Sequence, residues 1–209
     1  MEQINPAEML TATTSKTQTK PSYSEEQIAT ELERNGWLRS VAGDHDFNNA
    51  VKACKMAFEN RRGLFLVGAA GCGKTSLLKV LHKIFRAEPS TFLYCKDERH
   101  LEWLKSAPEH YFGSHVFLDD IGCDDIKKEY GNSIDVVGDF IQKYHLYGRG
   151  RFFGSSNLGL KCVVDPKTGK LICDSINQKY GSRVMDRILE MCVCLKFKGG
   201  SKRERMMVV

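Results

Sequence analysis

The run Gly68-Ala69-Ala70-Gly71-Cys72-Gly73-Lys74-Thr75 is a complete G-x-x-x-x-G-K-S/T phosphate-binding loop. Its glycines let the backbone turn tightly, so that successive N–H groups at a helix N-terminus, through Ser76, point at anionic phosphates. Lys74 is the residue that reaches the β- and γ-phosphates, and the Thr75 hydroxyl is a ligand for Mg²⁺. Forty residues after Thr75 begins the segment that offers a second chemical group. His115-Val116-Phe117-Leu118 is an apolar run ending in two carboxylates, Asp119 and Asp120. A carboxylate at the tip of a strand beside the loop holds Mg²⁺ on the phosphates, and Asp119 is the candidate. Asp120 points differently and is the candidate to orient or deprotonate an attacking water. Alone, such a pair is ordinary turn chemistry; one strand–helix unit after a phosphate loop it gains weight. A third group, Asn157, closes the run Arg151-Phe152-Phe153-Gly154-Ser155-Ser156. Its amide can hold water against a γ-phosphate, although an asparagine at a strand end is more often a turn residue.

These groups need strands and helices to hold them. Gly63-Leu64-Phe65-Leu66-Val67 reads as a buried strand entering the loop. Leu77, Leu78, Val80, Leu81, Ile84 and Phe85 follow a helical period leaving it. Thr91 to Cys95 forms a second strand after a break at Pro89. A charged helix around Leu101 and Trp103 stops near Pro108. The spacing of Ile134, Val137, Ile141 and Tyr144 predicts a helix from Ser133 to about Gly148. Alternation around Asp165-Pro166 predicts a hairpin over 159–174. Tyr180, Val184, Ile188 and Met191 share a helix face, with Arg183 and Arg187 on another, and Cys192 to Phe197 is the last strand. Arginines so placed are usually a solvated surface; in a nucleotide-driven assembly they serve as an arginine finger.

The chain of 209 residues suits one α/β domain with flanking segments. Residues 1–22 have little to bury and read as a disordered tail. Residues 23–46 form a short helical segment, with a capping box at Ser24 and Gln27 and a thin stripe of Ile28 and Leu32, which either leans on the main domain through Trp37 or docks on a partner. Residues 47–197 form the main domain. Residues 198–209 are a basic tail, either a solubilising terminus or a contact for a DNA backbone. Thirty-one basic against 26 acidic residues, net +5, permit nucleic-acid contact without requiring it. The eight cysteines lack C-x-x-C spacing, and the six histidines are scattered. No zinc site is expected, and reduced thiols fit a cytoplasmic protein. No apolar run reaches the ~20 residues of a membrane span, so a soluble protein without membrane contact is expected. Asp119-Asp120-Ile121-Gly122 also fits the D-x-x-G of GTPases, but no N-K-x-D is present to read guanine.

On "GLFLVGAAGCGKT", "VFLDDIG", "FFGSSNL" and "YGSRVMDRILEMC", in that order, the chain resembles the AAA+ ATPases of the DnaC/IstB group, helicase loaders and transposition helpers. The resemblance implies a P-loop NTPase of ASCE type with a five-stranded parallel sheet, flanking helices and a reduced C-terminal lid. It implies ATP and Mg²⁺ as ligands, with Lys74 and Thr75 as Walker A and Asp119 and Asp120 as Walker B. Asn157 becomes sensor 1 and Arg183 the finger acting on a neighbouring subunit, with Arg187 in reserve. It further implies slow ATP hydrolysis coupled to nucleotide-dependent homo-oligomerisation, and loading of a replicative helicase on single-stranded DNA. The alternatives are a transposition helper of the same fold and a nucleotide-dependent adaptor with negligible turnover.

Overall fold

The computed structural model describes residues 23–124, 127–129, 132–161, 163–164, 171–173 and 175–198. The sequence-predicted tails at 1–22 and 199–209, and the turn of the hairpin at 165–170, lie outside the described residues.

Three helices precede the sheet: α1 (Glu25–Arg34), the short α2 (Arg39–Ala42) and α3 (Asp44–Glu59). β1 (Gly63–Val67) runs into α4 (Lys74–Ile84), then β2 (Ser90–Tyr94), α5 (Glu98–Ser106), a 3-10 turn and β3 (His115–Ile121). A small pair, β4 (Lys127–Glu129) and β5 (Asn132–Ile134), leads to α6 (Val136–Tyr147) and β6 (Phe152–Ser156). A second pair, β7 (Val163–Val164) and β8 (Leu171–Cys173), precedes α7 (Ile176–Met191) and β9 (Cys192–Lys196).

The main sheet has five strands in the order β2-β3-β6-β1-β9, all parallel. This is the α/β P-loop NTPase fold of ASCE type: β6 lies between the strand feeding the phosphate loop and the strand carrying the carboxylates. Parallel strands covered on both faces read as continuous apolar runs, which is why the strands were legible. Within those runs the side chains still alternate. Leu64, Leu66, Phe117, Phe153 and Leu195 pack with α1, α3 and α4, whereas Phe65, Val67, Val116, Leu118 and Phe152 pack with α5, α6 and α7. Phe117 and Phe153 stack across neighbouring strands with centroids 4.4 Å apart, and Phe85 of the turn after α4 closes on Phe153 at 5.2 Å.

The N-terminal helices join this core. Ser24 and Gln27 cap α1 reciprocally, and Ile28 and Leu32 are buried. Trp37 stacks on Phe47 at 5.4 Å and meets Phe197 edge-on at 6.3 Å.

Two expectations are corrected. The helix expected from Ser133 begins at Val136, and Ser133 and Ile134 belong to β5, antiparallel to β4. Ile134 continues the helical period only by coincidence, because Asp135 caps α6 by accepting a hydrogen bond from the Gly138 N–H at 2.8 Å. The helix expected around Leu101 and Trp103 is α5, which ends before Pro108; Leu104 is buried in it and Trp103 is half exposed. The face of Tyr180, Val184 and Ile188 is buried as expected, but Gly181 leaves helical geometry at φ 83° and kinks α7 between Tyr180 and the arginines.

The cap at Asp135 makes stability depend on pH. Burial, reinforced by Asp124 and Asp139 and opposed by the Gly138 N–H and Lys179, pushes its carboxyl up to about 6. A carboxyl whose folded pKa is raised contributes stability below its unfolded value, ~4, and loses it as pH rises toward 6. Asn caps as well as Asp without the charge. Asp135→Asn should therefore stabilise the protein near neutral pH by about 1 kcal/mol, after discounting for partial exposure, and remove this residue's loss of stability between about pH 4 and 6. Urea unfolding on either side of that window reads this; a less stable variant at neutral pH contradicts it.

Candidate nucleotide site

The strands deliver their C-terminal ends to one edge of the sheet, where a cleft of about 960 Å³ is lined by Ala70, Gly71, Gly73, Lys74, Thr75, Ser76, Lys79, Tyr94, Lys96, Asp97, Asp120, Asn157 and Val41. Gly71 and Gly73 have φ of 80° and 104°, the left-handed region that a side chain disfavours. That backbone turns the chain from β1 directly into α4, so the unpaired N–H groups of the first helical turn face the cleft.

Lys74 is buried, with 5% of its surface exposed, yet fully engaged. Its Nζ donates to the carbonyls of Gly68 at 2.8 Å and Ala69 at 2.9 Å, and to Asn157 Oδ1 at 2.8 Å. Lys74 and Asn157 are 83 residues apart in the chain and meet because β6 pairs with β1, Val67 standing opposite Ser156. The ammonium is thus poised on neutral oxygens, which an anionic phosphate outcompetes.

Asp119 has no exposed surface. Its Oδ1 accepts from Thr75 Oγ1 at 3.2 Å and from the Ser155 hydroxyl, while its buried Oδ2 accepts no hydrogen bond among the described residues. A buried carboxylate oxygen without a donor, with a threonine hydroxyl on its sister oxygen, is the donor set of a hard, oxygen-seeking cation such as Mg²⁺. Thr75 and Asp119 therefore fit that ion as a pair.

Asp120 departs from regular strand geometry. Its φ is 59°, and the pairing of β3 with β6 shifts register between Leu118 and Ile121. This irregularity turns Asp120 out of the ladder to line the cleft, 20% exposed, while Asp119 stays buried. Non-glycine residues in the left-handed region cost energy and concentrate at functional sites. Asp120 is paired with Lys96 at 3.2 Å, and hydrogen bonding and charge from Asp120 raise the pKa of that lysine.

Three positioning contacts were not foreseen. Ser155 accepts from the Asp120 N–H at 3.2 Å while donating to Asp119, so one buried hydroxyl fixes both carboxylates. Its signal in the sequence is a polar residue inside a central apolar strand. Lys96, at the end of β2, carried no motif. Beyond the carboxylates, Asp124 accepts from the Gly122 N–H at 3.2 Å and from the Tyr180 hydroxyl, and Lys179 Nζ reaches the Gly122 carbonyl at 2.8 Å. That lattice ties the turn after β3 to the first part of α7.

Of the residues singled out in the sequence, those of the loop, Asp119, Asp120 and Asn157 converge. Arg183 and Arg187 do not line this cleft; with Asp186, Leu189 and Glu190 they border a separate depression of about 460 Å³ on α7. Arg187 is engaged by Glu190 at 2.7 Å. Arg183 is exposed and has no ion pair among the described residues.

No family model and no curated protein matches the chain. Among solved structures, AMPPCP-bound DnaA from Aquifex aeolicus is 17% identical with a TM-score of 0.47, covering 75% of this chain and 48% of that one. A structure described as a DNA replication initiation factor is 16% identical with a TM-score of 0.48, covering 78% of this chain and 49% of the other. The chain thus spans about half the length of these structures. The functional reading rests on the geometry of the cleft. Among the described residues, no group of three or more histidines, cysteines or acids is placed to hold a metal, and no helix is long and apolar enough to cross a membrane.

Proposed function

We propose that this chain is an AAA+ ATPase: it binds ATP with Mg²⁺ and hydrolyses it slowly as a homo-oligomer, and it loads a replicative helicase on single-stranded DNA. The observation that carries the nucleotide reading is the convergence of Lys74, Thr75 and Asn157 on one cleft, with Asp119 buried against Thr75. Lys74 and the N–H groups through Ser76 would hold the phosphates. Thr75 and Asp119 would hold Mg²⁺, which when bound neutralises phosphate charge. Asn157 and Asp120 would orient the attacking water, and Asp120 would take its proton.

A nucleotide-dependent adaptor with negligible turnover is the second reading, favoured by one contact: Lys96 occupies the carboxylate that would serve as base. Phosphate release separates the two. In the hydrolytic reading, Asp120→Asn retains ATP binding and loses turnover by roughly 10²-fold or more. Wild-type protein that binds ATP but releases no phosphate, alone or with single-stranded DNA, supports the adaptor; full hydrolysis by Asp120→Asn reassigns the base. A pull-down from the native host with and without ATP tests the partner. Recovery of a hexameric helicase supports loading, whereas recovery of a transposase supports the transposition-helper alternative.

A further inference from the structure

The opposite end of the sheet has its own chemistry. Because every strand of the main sheet is parallel, the segments entering β1, β2 and β6 all lie at the end away from the nucleotide cleft. The registers bring those entries level: Ser90 stands opposite His115, Val116 opposite Phe152, and Gly63 abuts the Phe152 carbonyl so closely that a Cβ would lie 1.7 Å from it. Strands ~4.8 Å apart place the entries to β2, β3, β6 and β1 within roughly 15 Å. Onto that strip the sequence puts Arg61 and Arg62 before β1, Arg86 before β2, and Arg149 and Arg151 before β6.

These arginines are not all structural. Arg62 is committed to the carbonyls of Leu189 and Cys192. Arg151 lies between Phe58 at 5.6 Å and Phe85 at 5.3 Å; burial lowers its pKa and the nearby charge of Arg61 adds to that. Arg86 and Arg149, in contrast, are exposed and have no ion pair among the described residues. The neighbouring acids are partly committed, Glu88 to His115 at 2.6 Å and Glu190 to Arg187 and His145, leaving Glu59 and Glu109.

The loop carrying Arg149 is rigidly built. The Gly148 N–H donates to the Tyr144 carbonyl and the Arg149 N–H to the Phe112 carbonyl, each at 2.7 Å. The Arg151 N–H donates to His115 Nδ1 at 2.8 Å. A Cβ at Gly150 would lie 2.1 Å from the Ser114 carbonyl, so only glycine lets the loop close this tightly. Beside it, Tyr147 is 62% exposed, its ring resting on Phe112 at 5.7 Å. An exposed ring supported by protein, with Arg149 two residues on and without an ion pair among the described residues, is a platform for an unstacked base with phosphates alongside. Guanidinium suits phosphate better than ammonium does, and every basic residue entering these strands is an arginine.

We propose that this end of the sheet binds a single-stranded nucleic acid, its phosphates on Arg86 and Arg149 and one base on Tyr147. The site is separate from the ATP cleft and does not rest on it, and it lies at the other end of the sheet from Lys198, where the basic tail begins. The test is fluorescence anisotropy of the full chain with a labelled oligothymidylate of about 20 nucleotides, across a salt series. Arg86→Ala/Arg149→Ala should weaken binding about 10-fold or more and reduce the log–log salt slope by about 1.4, or ~0.7 per phosphate contact. Arg86→Lys/Arg149→Lys should keep the slope. Tyr147→Ala should weaken binding about 5-fold or more without changing it. Circular dichroism verifies folding of these surface variants. The proposal is overturned by an unchanged slope in the double alanine variant, or by loss of binding only when residues 199–209 are deleted. Equal affinity for a duplex of the same length, or tighter binding to phosphatidylserine vesicles than to the oligonucleotide, overturns it too.

Discussion

Isothermal titration of Lys74→Ala with ATP and Mg²⁺ should show affinity reduced by about 10²-fold or more, with ATP turnover lost at any accessible concentration. The Lys74 ammonium is buried and donates to two loop carbonyls and to Asn157, so its charge is aimed at the interior of the loop before any phosphate arrives. Charge-assisted hydrogen bonds to phosphate replace bonds to neutral oxygens, and that difference is the affinity the lysine supplies. Removing it also leaves the Gly68 and Ala69 carbonyls and Asn157 without their donor. A stability loss of about 1–3 kcal/mol is expected, too small to unfold a domain with two cores on one sheet. Calorimetric titration and thermal unfolding on the same sample separate the effects. A folded Lys74→Ala protein with wild-type affinity and turnover removes the phosphate-loop assignment.

How much of this site the sequence revealed follows from how its parts are encoded. The loop, the strand before it and the helix after it are contiguous, so their residue types and period carry the whole unit from Gly63 to Ile84. Asp119 and Asn157 were found by their position at strand ends. That Asn157 meets Lys74 is a consequence of the β2-β3-β6-β1-β9 order, a property of the whole sheet. Lys96 against Asp120, Ser155 beneath both carboxylates, and Asp124 with Tyr180 are cross-strand or loop–helix contacts between unremarkable residue types. They depend on the register shift between Leu118 and Ile121, which no local pattern signals. The misplaced start of α6 has a similar cause: Ile134 falls on the helical period, and only the cap at Asp135 tells strand from helix there.

Arg183→Ala should sharply reduce ATP hydrolysis under assembly conditions while leaving ATP binding intact, and the loss should be repaired by a different mutant of the same chain. The guanidinium is on α7, among residues bordering a depression that shares no residue with the ATP cleft. Within one subunit the basic groups lining that cleft are Lys74, Lys79 and Lys96. To act on a γ-phosphate, Arg183 would have to reach one in a neighbouring subunit. Of the two arginines on this face, Arg187 is held by Glu190, whereas Arg183 has no ion pair among the described residues, Asp186 included. An i,i+3 pair with Asp186 would have contributed only ~0.2–0.5 kcal/mol and given the residue a surface role. The Asp124 lattice fastens α7 to the turn after Asp119 and Asp120, ahead of the kink at Gly181. An arginine delivered in trans stabilises transition-state charge and is worth ~10³ to 10⁵ in rate in efficient NTPases; a slow ATPase should lose less. Mixing decides the case. An Arg183→Ala subunit binds ATP without offering a finger, and a Lys74→Ala subunit offers a finger without binding ATP. Phosphate release by the mixture, above that of either mutant alone, is the expected result. Wild-type hydrolysis by Arg183→Ala under conditions of assembly transfers the role to Arg187, whose contact with Glu190 would then have to break on assembly.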